Sequence, residues 1–242
     1  MHREFFPNRK LAFLRICALS MIVLVLGLVA CSKEEAGNNT VSKVATAQSI
    51  WNATPLGDQI AFFDKKYDLT PKEINELNGA QQRVYELGEK SNCYLRLLVS
   101  KGSGKIYEIS ADSQCNIKDD GHGVSPPYNP GAKFRDLTKD VNKLHPPLFE
   151  ADCLSCGNAY EPQYYMTFIG PHANGFIDVI YSFTYNEGIS DWVERVIKAN
   201  GGYGDPRVDE NKVDYSKFSS LAISLWSNES PNSITLRADG YK

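Results

Sequence analysis

Two cysteines separated by two residues, Cys153 and Cys156, form the one motif in this sequence that could carry a reaction by itself. Such a pair exchanges disulfides when its first thiol lies at a helix N-terminus, because the helix dipole lowers the pKa of that thiol. Here Glu150 and Asp152 lie just upstream, and their negative charge would raise the pKa instead. Residues 157–162 also make a poor helix start. We therefore interpret the pair as a structural disulfide, with thiol–disulfide exchange as an alternative function.

The histidines and acidic residues show no spacing that is typical of a metal or cofactor site. His122, His145 and His172 fall in predicted loops, and we interpret them as solvated imidazoles. Residues 119–121 begin like a calcium loop, but the alternating oxygen ligands of such a loop do not follow. No Gly-x-Ser-x-Gly elbow and no phosphate-binding glycine loop occurs. We therefore predict no metal, no cofactor and no catalytic residue.

Tyrosine side chains crowd one region of the sequence and are the remaining candidates for a binding surface. The candidate residues are Tyr160, Tyr164, Tyr181 and Tyr185. Exposed aromatic rings on a sheet suit contact with a protein or a glycan. Because side chains alternate along a strand, the face that buries Tyr165 would expose Tyr164. Burial of the same rings beneath a helix is the alternative.

Residues 1–30 have the charge pattern of an export signal. Four basic residues and one acidic residue precede an uncharged, largely apolar run from Ile16 to Ala30. That run is shorter than the roughly 20 residues that a helix needs to cross a bilayer, and it suits the apolar part of a signal peptide. The segment Leu28-Val29-Ala30-Cys31 then resembles the lipobox of bacterial lipoprotein precursors. An uncleaved membrane anchor that starts near Leu11 is the alternative.

This resemblance implies a lipid anchor at Cys31. In the lipoprotein family the cysteine carries acyl chains and becomes the first residue of the mature protein, so lipid on Cys31 would hold the chain at a membrane. Ser32, rather than an aspartate, follows the cysteine, and by the family's sorting rule this implies the outer membrane. The resemblance therefore implies that the folded part of the chain faces the periplasm.

The mature chain is acidic. Of the 26 Lys and Arg and the 29 Asp and Glu residues, residues 1–30 contain four and one, which leaves 22 and 28 and a net charge near −6. Phosphate backbones repel such a surface, so we expect no nucleic-acid partner. Contact with the membrane should likewise come from the lipid on Cys31 rather than from a basic surface.

Four cysteines remain once Cys17 leaves with the signal and Cys31 takes the lipid. An even number of cysteines in an exported chain favours two disulfides, for which three connectivities exist. We favour one pair that flanks a predicted hairpin and a second pair that is close along the chain. These pairs are Cys93 with Cys115, and Cys153 with Cys156.

The chain divides into a signal over residues 1–30, a tether and a folded domain. Residues 31–48 are small and polar without apolar periodicity, so we predict a flexible tether. Residues 49–242 are long enough for one large core or two small ones. A Gly- and Pro-rich loop within them suggests a division into halves, 49–118 and 132–242.

Hydrophobic periodicity predicts an alternation of helices and hairpins. The predicted helices cover residues 58–67, 71–78, 134–144 and 189–197. The predicted strands cover residues 83–87, 93–99, 105–111, 164–169, 176–183, 221–226 and 233–237. A helical segment followed by a hairpin thus recurs three times. This order favours an α+β fold, with antiparallel strands in one or two sheets and helices on one face.

The predicted order over residues 50–115, two helices and then a hairpin closed by a disulfide, resembles in topology two groups of small exported proteins. These are the outer-membrane assembly lipoproteins and the secreted β-lactamase inhibitor proteins. Together with the lipobox, the likeness implies a non-catalytic, lipid-anchored binding protein that contacts another envelope protein, as an inhibitor, an immunity-type binder or an assembly accessory. A structural link between membrane and cell wall is a further alternative.

Overall fold

The computed structural model of the chain describes residues 45–88, 92–123, 125–139, 146–154, 162–170, 177–202 and 212–241, which belong to the unit Val44–Lys242. The strands are β1 (Glu73–Leu77), β2 (Ala80–Leu87), β3 (Cys93–Ser100), β4 (Ile106–Asp112), β5 (Leu148–Ala151), β6 (Gln163–Phe168), β7 (Asp178–Thr184) and β8 (Ser233–Arg237). The α-helices are α1 (Ala47–Ala53), α2 (Ile60–Tyr67), α3 (Phe134–Thr138), α4 (Glu187–Ala199) and α5 (Ser219–Leu225).

These eight strands form one antiparallel sheet, which confirms the predicted α+β class. The strand order is β1-β2-β3-β4-β8-β7-β6-β5, so β8 lies in the middle although it comes last in the sequence. Both of its neighbours pair with it antiparallel: Ile109 of β4 and Val179 of β7 stand opposite the same residue, Leu236. Strands from the two predicted halves therefore belong to a single sheet.

One face of the sheet carries the hydrophobic core. Cross-strand neighbours on this face are apolar and buried, as with Leu97 opposite Ile109 and Met166 opposite Tyr181. The helices lay their apolar residues on the same face; for example, the ring of Phe63 in α2 lies 5.5 Å from that of Tyr85 in β2. Each fully buried side chain of this size stabilises the fold by roughly 1.5–3 kcal/mol relative to exposure.

The opposite face of the central strands is polar and is ordered by cross-strand pairs. Arg237 Nε donates to Glu108 Oε2 at 2.8 Å across the β4–β8 pair, and Thr235 Oγ1 lies 2.9 Å from Ser110 Oγ. The ion pair at Glu108 also raises the pKa of Arg237, against the opposing effect of burial. Because polar and apolar residues alternate along β8, a register slip of one residue in this strand would turn Arg237 toward the core.

The prediction of a helix over residues 71–78 is wrong, because this segment contains strand β1. The Thr-Pro-Lys-Glu sequence looks like a helix start, but Asn78-Gly79 follows it and makes the tight turn into β2. Gly79 has a φ of 75°, which glycine adopts at no steric cost. An Asn-Gly pair between alternating residues is a strong hairpin signal, and it outweighs the local helix signal here.

The predicted hairpin strand over residues 221–226 is also wrong, since these residues form α5 and the turn that follows it. Ala222 and Trp226, four residues apart, are both fully buried. That spacing places the two side chains on one side of a helix. β8 therefore pairs with β4 and β7 instead of with a preceding hairpin strand.

The remaining predicted elements within the described residues agree with the structure to within a few residues, but two elements were missed. Strand β5 follows directly after Pro146-Pro147. Helix α1 begins at Ala47, inside the predicted tether, and its Thr46 cap accepts a hydrogen bond from the amide of Ser49 at 3.1 Å. Burial of Ala47 shows that the folded part of the chain begins before residue 49.

Replacing Gly188 by alanine is expected to destabilise the protein, although the same change in most helices is stabilising. Gly188 lies in the first turn of α4, and a Cβ there would clash with the carbonyl oxygen of Leu225 in α5. Backbone must move to admit it, so we expect a loss of about 2 kcal/mol in the free energy of unfolding. Urea denaturation measures this loss. Gly240→Ala is the matched control, because a Cβ at Gly240 meets nothing within 4 Å; an equal loss in both variants would contradict the clash.

Candidate functional site

The structure divides the four candidate tyrosines. Tyr164 and Tyr181 are buried in the core, so the prediction that they form a binding surface is wrong for these two residues. Both rings are buried because they lie on the sheet face that the helices cover. Tyr185 is 57% exposed and its hydroxyl lies 2.7 Å from Ser190 Oγ. Tyr160 lies outside the described residues.

The cysteines support a disulfide-stabilised domain. Cys93 and Cys115 form the predicted disulfide, which ties the start of β3 to the turn after β4. Cys153 is also disulfide-bonded. Its predicted partner Cys156 lies outside the described residues, as does the lipobox with Cys31. The pairing of Cys153 with Cys156 and the lipid on Cys31 therefore stay predictions.

A cavity of about 340 Å³ with both polar and apolar walls lies between the end of α1 and the loop that follows β4. Its lining residues are Trp51, Asn52, Thr54, Lys118, Asp119, Asp120 and His122. Gln48 of α1 fixes the loop to the helix, because its side-chain amide bonds both the N–H and the C=O of Lys118, at 2.8 and 2.9 Å. The cavity therefore has walls that hold a defined position.

Asp119 is the centre of this site. Its carboxylate is only 1% exposed and accepts two hydrogen bonds of 2.8 Å, from Trp51 Nε1 to Oδ1 and from the Gly121 amide to Oδ2. Burial by itself would raise the pKa of Asp119, but the neighbouring His122 ring and these two donors outweigh burial and hold the pKa below its usual value. Asp119 is therefore a fixed, ionised group inside the protein.

His122 stands between this carboxylate and a hydroxyl group. Its Nδ1 lies 2.9 Å from Asp119 Oδ1, although the N–H direction falls outside hydrogen-bond geometry, and its Nε2 lies 3.3 Å from Thr54 Oγ1. The imidazole is only 20% exposed. The prediction of a solvated imidazole at His122 is therefore wrong, because the ring packs into the cavity wall beside a buried charge.

Two of these residues hold an unusual backbone conformation. Thr54 ends α1 with a φ of 45°, and His122 has a φ of 46°. The left-handed region suits glycine and asparagine, whereas a β-branched threonine is rarely found there. The imidazole of His122 thus lies between the hydroxyl of Thr54 and the carboxylate of Asp119.

Sequence reasoning missed this site because its parts are distant along the chain. Thr54 and His122 are 68 residues apart. Two signals in the sequence could have indicated it. Asp119 and His122 are three residues apart, which is about one helical turn, and Thr46 is a typical N-cap residue at the start of α1. Among the described residues, no group of three or more His, Cys, Asp or Glu side chains is arranged to hold a metal ion.

A second surface is the open edge of the sheet at β1. Among the described strands it pairs with β2 alone, and all five of its side chains are exposed. Ile74 and Leu77 are 48% and 42% exposed, which is unusual for large apolar residues on a strand. At the other edge, β5 contacts the turn Tyr215–Phe218. Within the described part of the chain, no helix is long and apolar enough to span a membrane.

Comparison with known proteins identifies no family. No family model matches the chain. No curated protein matches it either. One solved structure, a crystal structure of an extracellular protein containing a SCP domain from Bacillus anthracis str. Ames, is similar at 12% identity and a TM-score of 0.35. The alignment covers 81% of this chain and 47% of that one, so the chain spans about half the length of that protein. A likeness at this level carries no argument about function.

Proposed function

We propose that this chain is a lipid-anchored protein of the bacterial cell envelope that binds another envelope protein along the open edge of its sheet. The single observation that carries the binding part is β1, an edge strand with every side chain exposed. The disulfide between Cys93 and Cys115 supports export, because disulfides persist in oxidising compartments. The lipobox at Cys31 supports the anchor.

An edge strand offers unpaired N–H and C=O groups along one side, and an extended segment of a partner can pair with them as a further strand. Natural proteins usually protect such an edge with charge. Here Glu76 is paired with Lys101 at 2.7 Å, so its charge is balanced within the protein. Ile74 and Leu77 lie on opposite faces of β1 and would each contact an apolar side chain of the incoming strand.

The occupant that fits this edge is an extended segment with two apolar residues three positions apart, opposite Ile74 and Leu77, and a basic residue. Glu73 has no ion pair among the described residues, and a lysine or arginine of the partner opposite Glu73 would provide one. Main-chain hydrogen bonds would supply the affinity, and the contacts at Ile74 and Leu77 would supply the specificity.

Site-specific crosslinking in intact envelopes tests the binding surface. A photoreactive residue at Asn75, in the middle of β1, should crosslink to one dominant protein through an extended segment of the expected composition. The same residue at Glu150, on the opposite edge strand β5, is the matched control and should not give that product. Equal products at both positions, or a crosslink to peptidoglycan alone, would argue against the proposal, and the latter would favour a structural link.

Introducing a charge into the apolar surface of β1 tests the same contact by substitution. Ile74→Asp should abolish the product at Asn75, while Leu148→Asp at the other exposed edge should leave it unchanged. Equal melting temperatures of the two variants would show that both remain folded. The anchor is tested separately by the intact mass of the purified protein, which should correspond to a chain that begins at an acylated Cys31.

A further inference from the structure

We propose that Thr54, His122 and Asp119 form a hydroxyl–imidazole–carboxylate relay that transfers the acyl group of a small ester to water. The proposal is independent of partner binding, because it uses no residue of β1. Thr54 would be the nucleophile, His122 the general base and Asp119 the group that orients and stabilises the charged imidazole.

The distances place the three groups in the required order. Thr54 Oγ1 lies 3.3 Å from His122 Nε2, and His122 Nδ1 lies 2.9 Å from Asp119 Oδ1. Thr54 Oγ1 also lies 3.4 Å from the carbonyl oxygen of Trp51, so the hydroxyl has a second, weak acceptor. Hydrogen bonds of catalytic groups are often long or poorly aligned before substrate binds, and the relay requires that Nδ1–H, which has no hydrogen-bond partner among the residues that the structure describes, turn toward Asp119 Oδ1 in the complex.

The support for the carboxylate is what separates this cluster from a chance surface contact. Both oxygens of Asp119 are held, one by the indole N–H of Trp51 and one by the amide of Gly121. The backbone of Asp119 is held as well, since its N–H and C=O pair with Tyr128 at 2.9 and 2.7 Å. A buried charge that cannot turn is suited to stabilise an imidazolium as it forms.

The backbone at Thr54 and His122 gives independent support. A helix that ends in the left-handed conformation normally has glycine or asparagine at that position, and threonine there costs free energy. His122 adopts the same conformation between two glycines. Residues held in disfavoured conformations cluster at functional sites, and here two of them face each other across 3.3 Å.

The cavity limits the class of substrate. Its volume of about 340 Å³ admits a small molecule, and its walls are mixed in polarity. Asn52 and Lys118 line it and carry N–H donors that can stabilise the oxyanion of a tetrahedral intermediate. Asp119 and Asp120 would repel a negatively charged substrate. A short, uncharged ester is therefore the favoured substrate class.

The reaction balances with water as the only co-reactant. Thr54 Oγ1 bonds to the carbonyl carbon of the ester and its proton passes to His122 Nε2; the bond to the leaving alcohol then breaks, and Nε2 returns the proton to the alcohol oxygen. Water attacks the acyl-threonine next, and its proton passes to Nε2. The bond between Thr54 and the acyl group breaks, and the threonine oxygen takes the proton back. The net change converts one ester and one water into one acid and one alcohol.

p-Nitrophenyl acetate tests the relay on the purified full-length protein. We expect a burst of p-nitrophenol and, after an acid quench, an acetyl group on the peptide that contains Thr54. Thr54→Val keeps the shape and the β-branch but removes the hydroxyl, so it should give no burst and should lower the steady rate of hydrolysis by about 100-fold. Thr54→Ser keeps the hydroxyl and should stay within about tenfold of the natural protein. His122→Gln should lower the rate of hydrolysis to about the level of Thr54→Val.

Two results would overturn the relay. One is an acetyl group found only on lysine or histidine side chains; the other is hydrolysis that is no faster in the natural protein than in Thr54→Val.

A stability measurement tests the backbone argument: Thr54→Gly should raise the melting temperature by about 3 °C while removing the burst, and a lower melting temperature would contradict a strained Thr54. Crosslinking at Asn75 should be the same in Thr54→Val, so failure of the relay and failure of partner binding are distinguishable.

Discussion

Replacing Trp226 by alanine is expected to lower the free energy of unfolding by about 4 kcal/mol, the largest single-residue effect in the domain. Trp226 is fully buried, and five aromatic rings lie around it. Its centroid distances to Phe134, Phe149, Tyr164, Phe183 and Trp192 run from 5.2 to 6.4 Å. These rings belong to α3, α4 and three strands, so the loss of Trp226 leaves a cavity where several elements meet.

Urea denaturation measures this effect as a lower midpoint at an unchanged slope. Trp226→Phe should lose much less, about 1 kcal/mol, because the indole N–H has no hydrogen-bond partner among the described residues and its removal leaves no acceptor without a donor. Ile223→Ala on the exposed side of α5 is the control and should change stability by under about 0.5 kcal/mol. A loss in Ile223→Ala as large as that in Trp226→Ala would mean that α5 itself, and not the aromatic cluster, sets the stability.

Removing the disulfide between Cys93 and Cys115 is expected to cost about 3 kcal/mol. The bond closes a loop with a sequence separation of 22 residues, and chain-entropy arguments give this value for a loop of that length. The double variant Cys93→Ser with Cys115→Ser avoids a free thiol. Its urea midpoint should fall by the corresponding amount relative to the oxidised natural protein.

Reduction of the natural protein is the matching control for this variant. Because reduction also breaks the disulfide of Cys153, the double serine variant is reduced too, and the two reduced proteins should unfold at similar urea concentrations. If reduction left the midpoint of the natural protein unchanged, the disulfide would contribute nothing to stability, and the support that it gives to export would be lost as well.

Strands buried on one face and helices with a clear apolar stripe could be predicted from the sequence. The alternation Cys93, Leu95, Leu97 and Val99 marks β3, and these side chains are all buried. In α4 the apolar residues from Ile189 to Ile197 recur at helical spacing and are buried too. In both cases the local hydrophobic pattern and the tertiary packing favour burial of the same residues.

The errors arose where a short segment depends on its partners. The segment 71–78 carries a helix start, but the turn at Asn78-Gly79 and the neighbouring strand β2 decide its conformation. Residues 221–226 are apolar enough for a strand, and only the cluster around Trp226 makes them helical. The cavity at His122 depends on the contact between α1 and the loop after β4, which are distant along the chain, and no single-segment pattern could predict it.

The central position of β8 has a consequence for biosynthesis. β1 to β4 can pair as they leave the ribosome or the export channel, and so can β5 to β7, but each group keeps an uncovered inner edge until residues 233–237 arrive. The sheet is therefore complete only when β8 inserts between β4 and β7 and Arg237 pairs with Glu108, which is far away in the sequence. Proteins dominated by such long-range contacts fold slowly. A polypeptide in this waiting state keeps the inner edges of both strand groups exposed, and it is the species that chaperones and proteases would encounter first.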